Sequence, residues 1–259
     1  MVTVTDTDTR LRTLPFAIDS ELREAAFNHG YRRPNGQANG WLFFRSDTVP
    51  SELALAASAT HWFLSVEHPG VAAELDLPRA TPPARDFLAA YVFETQAEMR
   101  AAISRAYHLS RSLPNAPLRI FEEEIAALGA TEAEQLVRRR IGQDVFRRAL
   151  MDYWDGRCPL TGIDDSALLR ASHIRPWARC ESDAERLDVH NGLLLSAHWD
   201  AAFDAGLVSF DAEGRVLVSP GLKSAARAAL RPDQAARLTL VPEHQGPLAW
   251  HRRHLFVAK

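Results

Sequence analysis

The alternation of apolar and polar positions divides the chain into two patterned regions joined by a proline-broken stretch. Residues 1–13 alternate Thr with Asp and Val and carry no apolar periodicity, so a disordered tail is expected there. Ser20 then reads as the cap of a short helix, ELREAAFNHG, closed by Gly30. YRRPNGQANG is turn-rich, and WLFFRS (Trp41–Ser46) is a short apolar run of the kind that forms a buried strand. The alanine-rich ELALAASA predicts a helix, HWFLSVEH (61–68) a second strand, and Pro78, Pro82 and Pro83 a loop. A long helix is expected from Asp86 or Thr95 to Ser110, with Met99, Ile103 and Tyr107 four apart. Trp41, Phe43, Phe44, Trp62 and Phe63 read most simply as core, with a stacking platform for a nucleotide base as the sharper alternative.

LPNAPLR (113–119) interrupts the pattern and places a domain boundary near 115–130. Beyond it, Thr131 and Glu134 form a capping box that opens a helix running to about Trp154. Val137, Ile141, Val145 and Ala149 supply its buried stripe. Leu168–Ser172 predicts a strand ending on His173, which Pro176 prevents from continuing as a central strand. A polar loop or short helix follows. Asn191–Gly192 then gives a turn signal before a second strand in NGLLLS, and Ser196 caps a last helix, AHWDAAFDAG, ended by Gly206. The fold class is therefore α+β: a mixed α/β domain over 14–125, and a second domain over 131–259 introduced by the long helix.

Composition narrows the function only a little. Hydrophobic residues at 46% and charged residues at 24% are ordinary for a soluble globular protein. No apolar run approaches the roughly 20 residues of a membrane helix. MVTVTDTDTR lacks the basic start and apolar core of a signal peptide, so a cytoplasmic location with no membrane partner is expected. Cys158 and Cys180 can form neither a disulfide framework nor a CxxC metal site. Up to residue 130 there are 12 Lys/Arg against 16 Asp/Glu, and beyond it 18 against 17, net −4 and +1. Global charge does not point to nucleic acid. A local cluster does: Arg138, Arg139, Arg140, Arg147 and Arg148 crowd one helix, either as a solvated face or as a track along a phosphate backbone.

Chemistry concentrates between Leu168 and Gly206, which hold His173, His190, His198, Asn191, Asp200 and Asp204. His198 and Asp200 are two apart and cannot fully share a helical face, whereas Asp200 and Asp204 are four apart and can. Only one or two of the three are expected at a common metal.

CPLTG (158–162), ASHIRPW (171–177), ERLDVHNGLLL (185–195) and HWDAAFDAGL (198–207) resemble the HNH endonuclease superfamily, the ββα-metal nucleases. They are most similar to a subgroup common in bacterial restriction-type enzymes, as are IGQDVFR (141–147) and HRRHLF (251–256). The resemblance covers about 131–256 and implies a ββα-metal nuclease domain with flanking helices, cutting DNA phosphodiesters to leave a 5′ phosphate and a 3′ hydroxyl. It implies His173 as general base, a role its near-neutral pKa suits. Asn191 would orient the histidine-bearing loop, and Asp200, nine residues after the asparagine, would be the metal ligand. One divalent metal per site is implied, with a carboxylate favouring Mg²⁺ or Mn²⁺ over zinc, and no small-molecule cofactor. His198 could join the metal or contact phosphate. Ser172 stands where many relatives place a second ligand and would be a weak one. Arg138, Arg140, Arg147, Arg175 and Arg186 are the candidate DNA contacts. The region 14–125 would recognise DNA or sense its modification, which points to restriction, with a homodimer for double-strand cleavage. The rival readings are an inactive DNA-binding module and a toxin-type or RNA-directed nuclease.

Overall fold

The computed structural model describes residues 5–6, 10–129 and 131–257. The chain divides into two compact units, one up to Arg111 and one from Ser112. The first is built on β1 (Thr5–Asp6), α1 (Phe16–Asn28), β2 (Arg33–Ala38), β3 (Trp41–Arg45), β4 (Glu52–Ala57), β5 (Trp62–Val66), α2 (Pro69–Glu74), β6 (Arg79–Thr81), β7 (Ala89–Phe93) and α3 (Gln96–Ser112). Its strands form one sheet in the order β1-β6-β7-β5-β4-β3-β2. All the pairs are antiparallel except β1 with β6.

Some expectations change here, while the helix start left open between Asp86 and Thr95 falls at the second. ELALAASA is strand β4 over Glu52–Ala57, not a helix. Alanine's helical preference yields because β4 lies between β3 and β5, where Ala54 faces Phe43 and Ala56 faces Phe63. Small residues there leave room for the neighbouring rings, and all four side chains join one buried cluster with Trp41 and Phe87. The turn-rich YRRPNGQANG contains strand β2, bulged between Pro34 and Gln37 before the Asn39–Gly40 turn. The long helix begins at Gln96, and residues from Asp86 instead lead into strand β7.

Of the aromatic cluster, Trp41, Phe43, Phe44 and Phe63 are buried core, and Trp62 is half-buried. The Arg10 and Arg85 guanidiniums lie over Trp41 and Phe43 at 4.7 and 3.6 Å. Of the expected tail 1–13, residues 1–4 and 7–9 lie outside the described residues. Thr5–Asp6 pairs with β6, and the Leu11 N–H donates to the Ala57 carbonyl at 2.9 Å.

The second unit contains α4 (Ala116–Ile125), α5 (Glu132–Tyr153), β8 (Leu169–His173), α6 (Asp183–Leu187), β9 (Gly192–Ser196), α7 (Ala197–Asp204), β10 (Val208–Phe210), β11 (Val216–Val218), α8 (Ser224–Leu230) and α9 (Gln245–His254). α4 belongs with this unit rather than closing the region 14–125. It packs on α5 through buried Phe121 and Ile125, and Glu124 pairs with Arg148 at 2.7 Å. The Thr131–Glu134 capping box forms at the start of α5. The buried stripe is not the expected one. Val137 is exposed, and the helix buries Gly142, Val145, Phe146, Ala149, Leu150 and Tyr153. That spacing of three and four follows the helical repeat further along the helix than the valines suggest.

Two glycines let α5 approach the small β8–β9 pair and its loop. A Cβ on Gly192 would lie 2.5 Å from Phe146 and 2.9 Å from Leu150. A Cβ on Gly142 would lie 2.5 Å from Trp177. Every residue of β9 is buried, and complete burial of each of its three leucines contributes about 1.5–3 kcal/mol. Among the described residues no helix is long and apolar enough to cross a membrane.

The close approach at Gly192 makes a testable point. Gly192→Ala should lower unfolding stability by about 1–3 kcal/mol, the usual cost of overpacking. Gly246→Ala, on a helix with no atom within 4 Å of the added methyl, should not. Equal denaturation midpoints for the two variants would contradict this packing.

Candidate active site

β8 and β9 run antiparallel, with Ser172 opposite Leu193 and His173 opposite Gly192. The chain leaves β8 at His173, returns through a long loop containing α6, and passes directly from β9 into α7. The strand, loop, strand and helix thus follow the order expected from sequence.

The His173 ring is fixed on three sides. It stacks on Phe146 with centroids 3.8 Å apart and planes 17° apart, and meets Trp177 edge-on at 5.5 Å. Its Nε2 lies 2.8 Å from the Arg186 carbonyl. A carbonyl can only accept, so Nε2 carries the hydrogen and Nδ1 is left as the lone-pair nitrogen. Burial pulls the ring's pKa down to about 4, only partly opposed by the carbonyl bond. The near-neutral pKa expected from sequence is thus corrected downward: the ring is neutral at physiological pH, as a base must be, but is a weaker proton acceptor than a free imidazole.

Asn191 is buried and uses both ends of its amide on the loop that follows His173. Its Oδ1 accepts from the Arg175 N–H at 2.8 Å, and its Nδ2 faces the carbonyls of Arg175 and Glu185 at 3.2 and 3.3 Å. The Cys180 sulfur lies 3.4 Å from the same nitrogen. The Asn191 backbone carbonyl accepts from the Ile174 N–H at 2.9 Å. These bonds hold the two ends of the loop together.

The Ser172 hydroxyl donates to Asp200 Oδ1, so strand β8 and helix α7 bring two side-chain oxygens together. Asp204, one turn on, has its carboxyl pushed up to about 6 by lost hydration and then by the Asp200 charge. His198 is exposed and lies elsewhere, lining a 420 Å³ cavity with Thr161, Trp199 and Arg231. Two helical residues turn a side chain by about 200°, which separates it from Asp200. Among the described residues, no three His, Cys, Asp or Glu side chains converge as a metal-binding group.

Most of the candidate DNA-binding arginines are occupied within the protein. Arg147 donates to the carbonyls of Leu169 and Ser166 at 2.9 and 2.7 Å. Arg186 binds the Cys180 carbonyl at 2.7 Å, the Trp177 carbonyl at 3.3 Å and Asp183 at 2.9 Å. Arg175 pairs with Glu185 at 2.6 Å and Glu181 at 3.2 Å, and Arg138 with Asp183 at 2.7 Å. Arg140 is exposed and makes no ion pair among the described residues.

Phe146, Trp177, Glu185 and the Arg186 carbonyl all shape the site, yet none stands out in sequence as a functional residue. Phe146 could have been found by following the three-and-four spacing from Gly142 to Leu150. A backbone carbonyl leaves no residue-type signal at all.

No curated protein matches the chain. Among solved structures, a modification-dependent TagI restriction endonuclease is similar at 17% identity with a TM-score of 0.29. That match covers 82% of this chain and 55% of the other, so the chain spans about half the length of that protein. The family model described as HNH endonuclease matches residues 158–211, the segment that contains β8, the loop, β9 and α7. Residues 158–211 are therefore an HNH endonuclease domain within the chain.

Proposed function

We propose that the chain is a divalent-metal-dependent DNA endonuclease in which His173 is the general base, Asn191 a positioning residue and Asp200 the metal-holding carboxylate. The observation that carries this reading is the His173 ring, immobilised through Nε2 and its stack on Phe146, with Nδ1 left to take a proton. Asp200 with Ser172 offers oxygen donors, which suit a hard cation such as Mg²⁺ or Mn²⁺ better than zinc. Such a cation commonly takes one or two carboxylates and fills its other positions with water and phosphate oxygens, so this small donor set fits it. When bound, it supplies Lewis-acid stabilisation of the phosphate and of the departing oxygen.

The chain's own residues do the rest. His173 Nδ1 accepts the proton of the attacking water as its oxygen bonds to phosphorus. The P–O3′ bond breaks, and the departing oxygen takes a proton from solvent water, leaving a 3′ hydroxyl and a 5′ phosphate. The Arg186 carbonyl holds the ring in the tautomer this needs, and Asn191 holds the loop that carries His173's exit.

One such site cuts one strand, so double-strand cleavage calls for two copies, and we assign the active form as a homodimer. The first unit, compact in its own right and joined ahead of the nuclease, is assigned recognition of the DNA or of its modification. That arrangement supports a role in restriction. Cytoplasmic DNA is the substrate this role requires.

Plasmid DNA and RNA incubated side by side with Mg²⁺ or Mn²⁺ test the assignment, DNA being the polymer expected to be cut. His173→Ala should lower the rate by about 10²–10⁴-fold, the range for a lost general base. If neither polymer is cut, the reading fails. Cleavage of RNA alone would reassign the substrate. Asp200→Asn should abolish the metal-dependent rate while leaving the melting temperature near that of the wild type. A variant that keeps full activity over a metal titration would remove Asp200 from the metal.

The pH dependence follows from burial of the histidine. With His173 held at about 4, kcat/KM should stay flat from neutrality down to pH 5 and fall only near pH 4. A rate already halved at pH 6.5 would contradict this. Stability should behave differently. His173 and His251, both lowered to about 4, bind protons more readily when unfolded, at about 6.5, than when folded. The unfolding free energy should therefore decline as pH falls from 6.5 towards 4 and be insensitive to these groups above it.

A further inference from the structure

A cavity of 770 Å³ lies along the loop that leaves His173, between residues 175–181 and helix α9. Arg175, Arg179 and Glu181 line one side and Trp250 and His254 the other. Trp250 is half-buried, and His254 stacks on it with centroids 4.5 Å apart and planes 19° apart. The Arg175 guanidinium sits 5.8 Å from the same indole. Arg179 is exposed and makes no ion pair among the described residues. Glu181 is the single carboxylate among the lining residues, and Arg175 pairs with it at 3.2 Å.

We propose that this groove holds the DNA strand flanking the scissile phosphate, with Arg179 on a backbone phosphate and the Trp250–His254 pair packed against a sugar or base. The inference rests on the nuclease reading above and moves the substrate track away from the arginine-rich helix α5. Three observations favour it. Four of the five arginines first taken as DNA contacts spend their donors inside the second unit, whereas Arg179 keeps its own free. A stacked aromatic wall beside an unpaired cation is the combination by which proteins hold a nucleic-acid strand without reading its sequence. The groove wall is also the loop that Asn191 clamps, so a phosphate bound at Arg179 would be held in register with His173. By contrast, the 600 Å³ cavity of the first unit is ringed by Glu74, Asp76, Glu94 and Glu98 around Arg105, the wrong sign for a phosphate chain.

The test is binding of a fluorescein-labelled duplex to the full chain in EDTA, read by anisotropy over a series of salt concentrations. Arg179→Glu should weaken binding by about tenfold at low salt, equally for different sequences, and should reduce the salt slope by about one. Trp250→Ala should weaken binding without changing the slope. Arg215→Glu, which reverses a charge outside the groove, should bind within about twofold of the wild type and so controls for net charge. Thermal melting checks that each variant is folded. If Arg179→Glu binds like the wild type, or no worse than Arg215→Glu, the groove is not the track. That outcome with a wild type that cuts DNA sinks only this inference, whereas a wild type that neither binds nor cuts DNA sinks the nuclease reading itself.

Discussion

The site depends on the side-chain amide of Asn191. Between His173 and Gly192 the chain makes a long loop, residues 174–191, which must return the Arg186 carbonyl to the His173 ring. A single amide meets this demand because it has an acceptor and donors on one rigid plane. The acceptor takes the Arg175 N–H, and the donors reach carbonyls on both sides of the loop. An aspartate in its place would lack the donors and bury a charge. The Arg175–Glu185 pair and the Arg186 contacts then lock the same loop from outside.

The residues that could be read from sequence are those whose chemistry is local. His173 and Asn191 stand at element ends where turn residues and apolar runs fix the order, and the structure places them at the exit of β8 and immediately before β9, with Asp200 within α7. The readings that changed are those decided by distant neighbours. ELALAA is a strand because Phe43 and Phe63 need small residues between them, which no local propensity records. The stripe of α5 shifts towards Phe146 and Leu150 because Gly192, far along the chain, allows them to approach. Spacing left His198 and Asp200 only partly able to share a helical face; in the structure His198 lines a separate cavity while Asp200 meets Ser172.

Arginine content was the least informative signal. The basic helix looked like a phosphate track, but its side chains act largely as struts: Arg147 ties the start of β8, Arg138 reaches Asp183, and Arg148 reaches Glu124. Five donors on a planar group make arginine as well suited to bracing carbonyls as to binding phosphate. Counting charges therefore overstates the positive potential that a substrate would meet: Arg138 and Arg148 are offset by carboxylates, whereas Arg147, bound only to neutral carbonyls, and the ion-pair-free Arg140 and Arg179 keep theirs.

The stack of Phe146 on His173 has a further bearing. Phe146 lies on α5, before the first residue of the segment 158–211 that identifies the nuclease. The ring proposed as the base is thus steadied by a side chain outside the matched segment, within the IGQDVFR stretch that precedes it. A nuclease transplanted between proteins by recombination, or cut out at the motif's edge by an engineer, would arrive with its base loosened. The structural unit around His173 is therefore the matched segment together with its leading helix.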